Sequence, residues 1–364
     1  MEITQSRCSM DEYLIVEIMS RLPVKSLMRF SCVSKQWYSL TRNSYLINTH
    51  LRRSDSNLSL LSYTTILDRQ LSTEFGISML DDEADLVSLD LSFSNNYTCS
   101  ESVKLVGSSN GLLCLVTEAH TNGAKSLDGV DIIIWNPATR RFRTIPKPVL
   151  PENINDCTKT GAYGFGFSDD NTNDYKLVGI FGNQVQVFSR STNSWRQVEG
   201  KGFPSYQYYH RSEWTSLNGV LYWMAMTMTD GCFESFILSF NLCDEAFDVI
   251  QLPSTGVVWN SRLLSWKNSL ACLCESNLQV WAKTTDDNTT LPWTKQFSFD
   301  SPTSSERIIG IWKDQVLILR LTSINGLFLY DPKTKKRGKQ LPKRENYSYF
   351  DAGLVNYVES LVLV

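Results

Sequence analysis

Between residues 10 and 41 apolar side chains recur at helical spacing. Leu14, Ile15, Ile18, Met19 and Leu22 fall one, three and four residues apart, which predicts a helix from about Glu12 to Arg21 with Asp11 or Ser9 as its cap. Pro23 stops that helix, and its fixed φ suits the start of a second short one through Val24, Leu27 and Met28. A third, from about Cys32 to Thr41, carries Val33, Trp37 and Leu40 on one face. Three helices in so short a stretch cannot bury this much apolar surface among themselves. Either they fold back on the rest of the chain or they form a docking surface for another protein.

Beyond residue 50 the pattern changes period. IIIW, YKLVGIF, VQVF, GVLYWM, FILSF, SLACLC, QVLILRL and GLFLY are short, rich in β-branched and aromatic residues, and bounded by Asn, Gly, Asp and Ser, which predicts all-β organisation. A strand, a polar turn and a second strand recur as WNPATRRFRTIP at 135, VFSRSTNSWRQV at 187, FNLCDEAFDVIQLP at 240, WAKTTDDNTTLPWTKQF at 281 and YDPKTKKRGKQLP at 330. A turn feeding an apolar strand precedes four of these, as SSNGLLCLV at 108, SLNGVLYWM at 216, SWKNSLACL at 265 and GIWKDQVLIL at 310. Repeats about 40 to 50 residues long with several strands each are the mark of propeller blades, kelch-like in length but without a double glycine. Five units are legible, and a sixth, the least legible, is assigned to residues 51–107, where the acidic run DDEAD at 81–85 marks a loop.

Composition and charge narrow the function. The 364 residues are 42% hydrophobic and 20% charged with a net charge of −3, so no global basic field recruits nucleic acid or an anionic membrane. No apolar run approaches the ~20 residues of a spanning helix, and no secretory leader is visible, so a cytoplasmic or nuclear protein is expected. Nine cysteines are scattered without a CxxC pair; Cys272 and Cys274 fall on one strand face and read as structural. With only His50, His120 and His210 in the chain, serine–histidine chemistry and histidine-bound metal are disfavoured, so no catalytic residue, metal or cofactor is expected. Gly161, Gly164 and Gly166 in GAYGFGF are not in dinucleotide-fingerprint order and read as a tight strand entry.

The first segment resembles a known family. Leu14-Ile15, Glu17-Ile18, Arg21-Leu22-Pro23-Val24-Lys25-Ser26-Leu27, Arg29-Phe30, Cys32-Val33-Ser34-Lys35 and Trp37 look like an F-box, the helical motif that binds Skp1. The chain departs from it at Met10-Asp11, where the family opens with Leu-Pro, and at Ser34, where it commonly has Cys. Further on, Asn110-Gly111-Leu112, Trp135-Asn136-Pro137-Ala138-Thr139, GFGF at 164–167 followed by Asp174-Tyr175-Lys176-Leu177-Val178, and Asn218-Gly219-Val220-Leu221-Tyr222-Trp223 resemble the F-box-associated domain of plant F-box proteins, a group with S-locus-like and immune-regulator-like members. The final YVESLVLV resembles the strand that closes such domains, paired near NLSLLSY at 57–63.

The resemblance implies an α+β multidomain chain. A flexible segment 1–9 precedes an all-α F-box at 10–50 and an all-β propeller-like domain of six degenerate blades at 51–364. Its function would be that of a non-catalytic substrate receptor in an SCF-type ubiquitin ligase. Skp1, and through it cullin and RING subunits, would be held by Met10, Leu14, Ile15, Ile18, Leu22, Pro23, Leu27, Phe30, Val33, Lys35 and Trp37, while a protein target docks on the propeller. A Skp1-independent scaffold and a ligand-binding propeller are the alternatives. Tyr206, Tyr208, Tyr209, His210 and Arg211 in the aromatic segment SYQYYHRSEW suit a recognition loop, and tyrosines alternating into a blade core explain the same letters. The basic stretch KTKKRGKQLPKR at 333–344 reads as a solvated turn between strands.

Overall fold

The computed structural model of the chain describes residues 10–54, 59–67, 73–80, 86–89, 101–121, 124–126, 131–149, 162–168, 174–200, 208–229, 232–253, 261–274, 279–283, 293–298, 306–312, 316–321, 326–331, 334–340 and 348–364. Four helices come first: α1 (Met10–Met19), α2 (Val24–Phe30), α3 (Lys35–Leu40) and α4 (Ser44–Ser54). Pro23 is the extended N-cap of α2, the Ser34 hydroxyl accepts the Trp37 N–H at the start of α3, and the Asn43 amide oxygen accepts the Tyr45 N–H at 2.8 Å to start α4. The fourth helix corrects the expectation of three, and α3 starts three residues later than expected. α4 adds Leu46, Ile47 and Leu51, all buried, to the helical core.

The strands fall into six antiparallel sheets among the described residues. They are β1 (Ser59–Leu67), β2 (Thr73–Leu80) and β3 (Leu86–Ser88); β4 (Glu101–Ser109), β5 (Leu112–Thr121), β6 (Ala124–Ser126), β7 (Ile132–Asn136) and β8 (Arg141–Ile145); and β9 (Ala162–Phe167), β10 (Tyr175–Phe181), β11 (Gln184–Ser189) and β12 (Ser194–Val198). Then come β13 (Tyr208–Leu217), β14 (Val220–Thr229), β15 (Cys232–Asn241) and β16 (Ala246–Gln251); β17 (Ser261–Trp266), β18 (Ser269–Cys274), β19 (Gln279–Lys283) and β20 (Trp293–Ser298); β21 (Glu306–Trp312), β22 (Val316–Leu321), β23 (Gly326–Asp331) and β24 (Lys336–Gln340); and finally β25 (Ser348–Tyr357). Each sheet pairs its strands in chain order, β6 being a side branch on β5, and β25 returns to pair with β1. First strands of neighbouring sheets lie side by side, as β4 does with β9 and β9 with β13. The result is a β-propeller whose ring is closed by its last strand.

Closure differs from the sequence expectation in one respect. The register pairs Ser59 with Tyr357 and Leu67 with Ser348, so of YVESLVLV only Tyr357 belongs to β25. Residues 358–364 continue without strand structure. The chain therefore enters and leaves the propeller at one residue pair, at the end of the ring where the helices lie.

Hairpin chemistry explains the repeat. Asn110-Gly111, Asn218-Gly219 and Lys267-Asn268 all have φ between 48° and 79°, the two positive values that a type I′ turn requires. Among the described residues, four third-to-fourth-strand turns each carry one left-handed residue, Arg140, Asn193, Glu245 or Lys335. Gly161 lies outside the described residues, and close packing of neighbouring blades explains AYGFGF, which forms β9 itself: a Cβ on Gly164 would meet the Trp223 ring at 2.5 Å. The space left by the glycine admits Trp223, whose indole N–H donates to the Tyr163 carbonyl at 3.0 Å.

Candidate functional site

The helices divide into an inward and an outward face. Val16, Met19, Val24, Leu27, Leu46, Ile47 and Leu51 are buried in one cluster with the propeller residues Leu112, Cys114, Phe165, Tyr175 and Phe188. That burial answers half of the opening question, since the helices fold back on the blades and each such side chain contributes about 1.5–3 kcal/mol. A second set stays uncovered: Leu14 is 52% exposed, Ile18 60%, Phe30 36% and Val33 72%, with Tyr13 at 50% beside them. Exposed large apolar side chains clustered on so small a unit mark an interaction surface.

Polar contacts fix the position of this surface. The Glu17 carboxylate accepts from Arg21 at 2.6 Å and from Arg53 of α4 at 2.7 Å, and Arg53 also donates to the Glu17 carbonyl and the Ser20 hydroxyl. The hydrogen bond from Arg53 holds the Glu17 carboxyl below its ordinary pKa, with Arg21 adding to the effect. His50, only 4% exposed, donates from Nε2 to the Leu22 carbonyl at 3.0 Å, and its Nδ1 lies 3.4 Å from the Ser54 hydroxyl. Burial lowers the His50 pKa, which keeps the ring neutral. Phe30 meets Trp37 edge-to-face at 5.3 Å, bracing the outer edge of α2 against α3.

The eleven residues expected to hold Skp1 do not all share the outward face. Leu14, Ile18, Pro23, Phe30, Val33 and Lys35 are exposed, whereas Ile15, Leu22 and Trp37 are half-buried against the inner cluster. Leu27 is fully buried and supports α2 from beneath. Met10 begins α1, and its side chain lies outside the described residues. Tyr13 was missed because a tyrosine outside the apolar stripe carries no periodicity signal.

The proposed recognition segment divides as well. Tyr206 lies outside the described residues, while Tyr208, Tyr209, His210 and Arg211 begin β13, so they are strand rather than loop; their side chains are outside the described set. Tyr208 pairs with Met226 and Tyr209 with Ala225. That end of β13 is opposite the Asn218-Gly219 turn and therefore opposite the helices. The basic stretch includes Lys335 in a turn and the exposed outermost strand β24; Lys333, residues 341–344 and the acidic run 81–85 lie outside the described residues. Lysines on an exposed sheet edge discourage strand addition. Cys272 and Cys274 are buried and their contact, with burial, pushes the Cys272 thiol up, in keeping with structural cysteines. Among the described residues no group of His, Cys, Asp or Glu is placed to hold a metal, and no helix is long and apolar enough to cross a membrane.

Comparison with known proteins places both parts. The F-box domain matches residues 8–49 and the F-box associated beta propeller domain residues 65–337. An Arabidopsis thaliana F-box protein is 28% identical over 66% of this chain and 60% of its own length. An Arabidopsis F-box/kelch-repeat protein is 27% identical over 66% of this chain and 58% of that one. The F-box protein CPR1 of the same plant is 26% identical over 96% of this chain and 88% of its own length. The match thus spans about three-fifths of the first of these relatives.

Proposed function

The chain belongs to the F-box proteins with an F-box-associated β-propeller, and from that premise we propose that it is the substrate receptor of an SCF-type ubiquitin ligase. One observation carries this reading: the row Leu14, Ile18, Phe30 and Val33 is left exposed by helices whose opposite face is buried on the propeller. A Skp1-like partner would cover the row and complete the second half of the core. The receptor is non-catalytic. By holding a target near the ubiquitin-charged enzyme recruited through cullin and RING subunits, it turns a bimolecular transfer into a nearly unimolecular one.

Topology supports a location for the target. The turns facing the helices join first to second and third to fourth strands, as at Gly111 and Thr139. Antiparallel pairing puts the last residues of β8, β12, β16, β20 and β24 and the first residues of β9, β13, β17, β21 and β25 at the opposite end of the ring. Tyr208–Arg211 begin β13 at that end, where a bound protein would not collide with Skp1. Co-expression of the full chain with a Skp1 homologue tests the proposal: a stable complex is expected for the natural chain and its loss for a folded Leu14→Asp, Ile18→Asp double variant. Absence of the complex with the folded natural chain would favour the scaffold reading instead, with Asp11 the first position to change to Pro.

A further inference from the structure

Residues 358–364 lie between the helices and the propeller. Val358, Leu361 and Val362 are buried in the same cluster as Val16, Met19, Val24, Leu27 and Leu46, with Leu363 and Val364 packed against it. A cleft bounded by Met28, Tyr38, Arg42, Thr139, Arg141 and Leu361 shows the arrangement in section: helix residues on one wall, a blade turn on the other, the segment between.

Two blade turns hold the segment, one through its backbone and one through the Ser360 side chain. Asn136, fully buried, donates its side-chain amide to the carbonyls of Ser360 at 3.1 Å and Val362 at 2.8 Å, while its own amide oxygen accepts the Thr139 N–H at 3.2 Å. Carbonyls two residues apart point the same way in an extended chain, so one asparagine serves both. The Ser360 hydroxyl donates to the Asn110 carbonyl at 2.7 Å. Gly111 lies where a Cβ would strike the Ser360 hydroxyl and come within 2.5 Å of the Val358 carbonyl.

The equivalent positions of another blade show that this is a specialisation. In the β13–β16 sheet, the Leu242 N–H donates to the Gly219 carbonyl at 2.9 Å, tying the two turns together, and Asn241 caps its own turn through Cys243 and Asp244. In the β4–β8 sheet, Pro137 occupies the position of Leu242 and has no N–H to give. There the two turns are bridged by the C-terminal segment instead.

We propose that the Asn110-Gly111 and Asn136-Pro137 turns are a receptor for residues 358–364, and that this segment is a strap setting how the helical unit sits on the propeller. Its effect on ubiquitin transfer would rest on the receptor reading; the strap itself does not. The test is hydrogen exchange of the full chain against a variant lacking residues 358–364, read in the helices and, as a control, in β9–β12 and the β1–β25 pair. Skp1 is absent, so failure of the Skp1 reading would leave the result standing. Expected is a loss of protection of tenfold or more in α1, α2 and α4, with the control strands within about threefold, and recovery when a VESLVLV peptide is added in trans. Asn136→Ala in the full chain should give a smaller loss in the same helices. Unchanged helix protection would overturn the proposal, and so would an equal loss in the control strands, which would make the segment part of ring closure.

Discussion

Ile18 and Met19 are neighbours in sequence with opposite environments, 60% and 1% exposed, and they make a sharp test of the inside-outside division. Truncating Met19 to alanine removes a buried thioether side chain from the cluster that joins the helices to the blades, at a cost of about 2–5 kcal/mol. At about 1.4 kcal/mol per tenfold, that lowers amide protection in α1 and α4 at least about thirtyfold. Ile18→Ala removes a side chain that mostly faces water, so helix protection should change by less than about threefold, as for ordinary surface changes. Skp1 binding should reverse the order. The uncovered 60% of Ile18, at about 1.5–3 kcal/mol for full burial, leaves about 1–2 kcal/mol for the partner to recover, or about five- to thirtyfold in Kd. Hydrogen exchange and calorimetric titration with a Skp1 homologue read the two quantities separately. Equal loss of helix protection in both variants would refute the division, whatever the titration shows.

Three further outcomes follow from the geometry. Gly164→Ala should lower the thermal midpoint through about 1–3 kcal/mol of overpacking against Trp223, and Trp223→Leu in the same chain should recover part of it in a double-mutant cycle. His50 is held neutral by burial with its pKa lowered, so the unfolded helices bind a proton that the folded ones refuse; α1 and α4 protection factors should fall as pH drops below about 6.5, and the dependence should flatten in His50→Gln. Burial alone would raise the Glu245 carboxyl, but hydrogen bonds from Arg196 and Lys176 of the neighbouring blade bring its pKa below the ordinary value. Its stabilisation is present above the unfolded carboxylate pKa and lost as pH falls through the folded one, so the natural chain should melt higher than Glu245→Gln at neutral pH and the gap should close as pH falls through the carboxylate range, measured by thermal unfolding followed by circular dichroism.

The legibility of this fold tracks the range of the interactions behind it. Asn110-Gly111 and Asn218-Gly219 were readable because the constraint is local: two residues must adopt positive φ. The third-to-fourth-strand turns at WNPATR, FSRSTN and FNLCDE are local in the same sense, each needing a single positive-φ residue, which is why they recur although their letters differ. The inner and outer helix faces were not separable, because α1 is apolar on both sides and periodicity says only that a stripe exists. Leu27 and Leu14 look equally suited to a partner in sequence, yet one is fully buried in the cluster that α4, the blades and residues 358–364 share, and the other is 52% exposed. α4 was missed for a related reason: its apolar side chains follow directly on α3 with only Asn43 to announce a new start. The final octet failed differently. An extended segment whose carbonyls bond to an asparagine side chain has the same apolar spacing as one whose carbonyls bond to a neighbouring strand, so no pattern in YVESLVLV could distinguish a strap from a closing strand.

That ambiguity bears on how such a chain can work as a receptor. Ring closure between β25 and β1 fixes the blades relative to one another, but a unit attached to the ring at a single point would be free to pivot about it. The chain exits at the partner of its entry residue and then runs back beneath the helices, where Asn136 grips its backbone and the Asn110 carbonyl accepts from the Ser360 hydroxyl. Two attachments at different points remove the pivot that one would allow. On the receptor reading this matters because proximity raises the rate only when the spacing between the Skp1 surface and the target end is held. Loosening the strap should then slow transfer while leaving Skp1 affinity within about threefold, since Leu14, Ile18, Phe30 and Val33 are on the face the strap does not touch. A parallel loss of Skp1 affinity in the strap-deleted chain would instead mean that the strap holds the helices folded, making it a part of the docking surface rather than a spacer behind it.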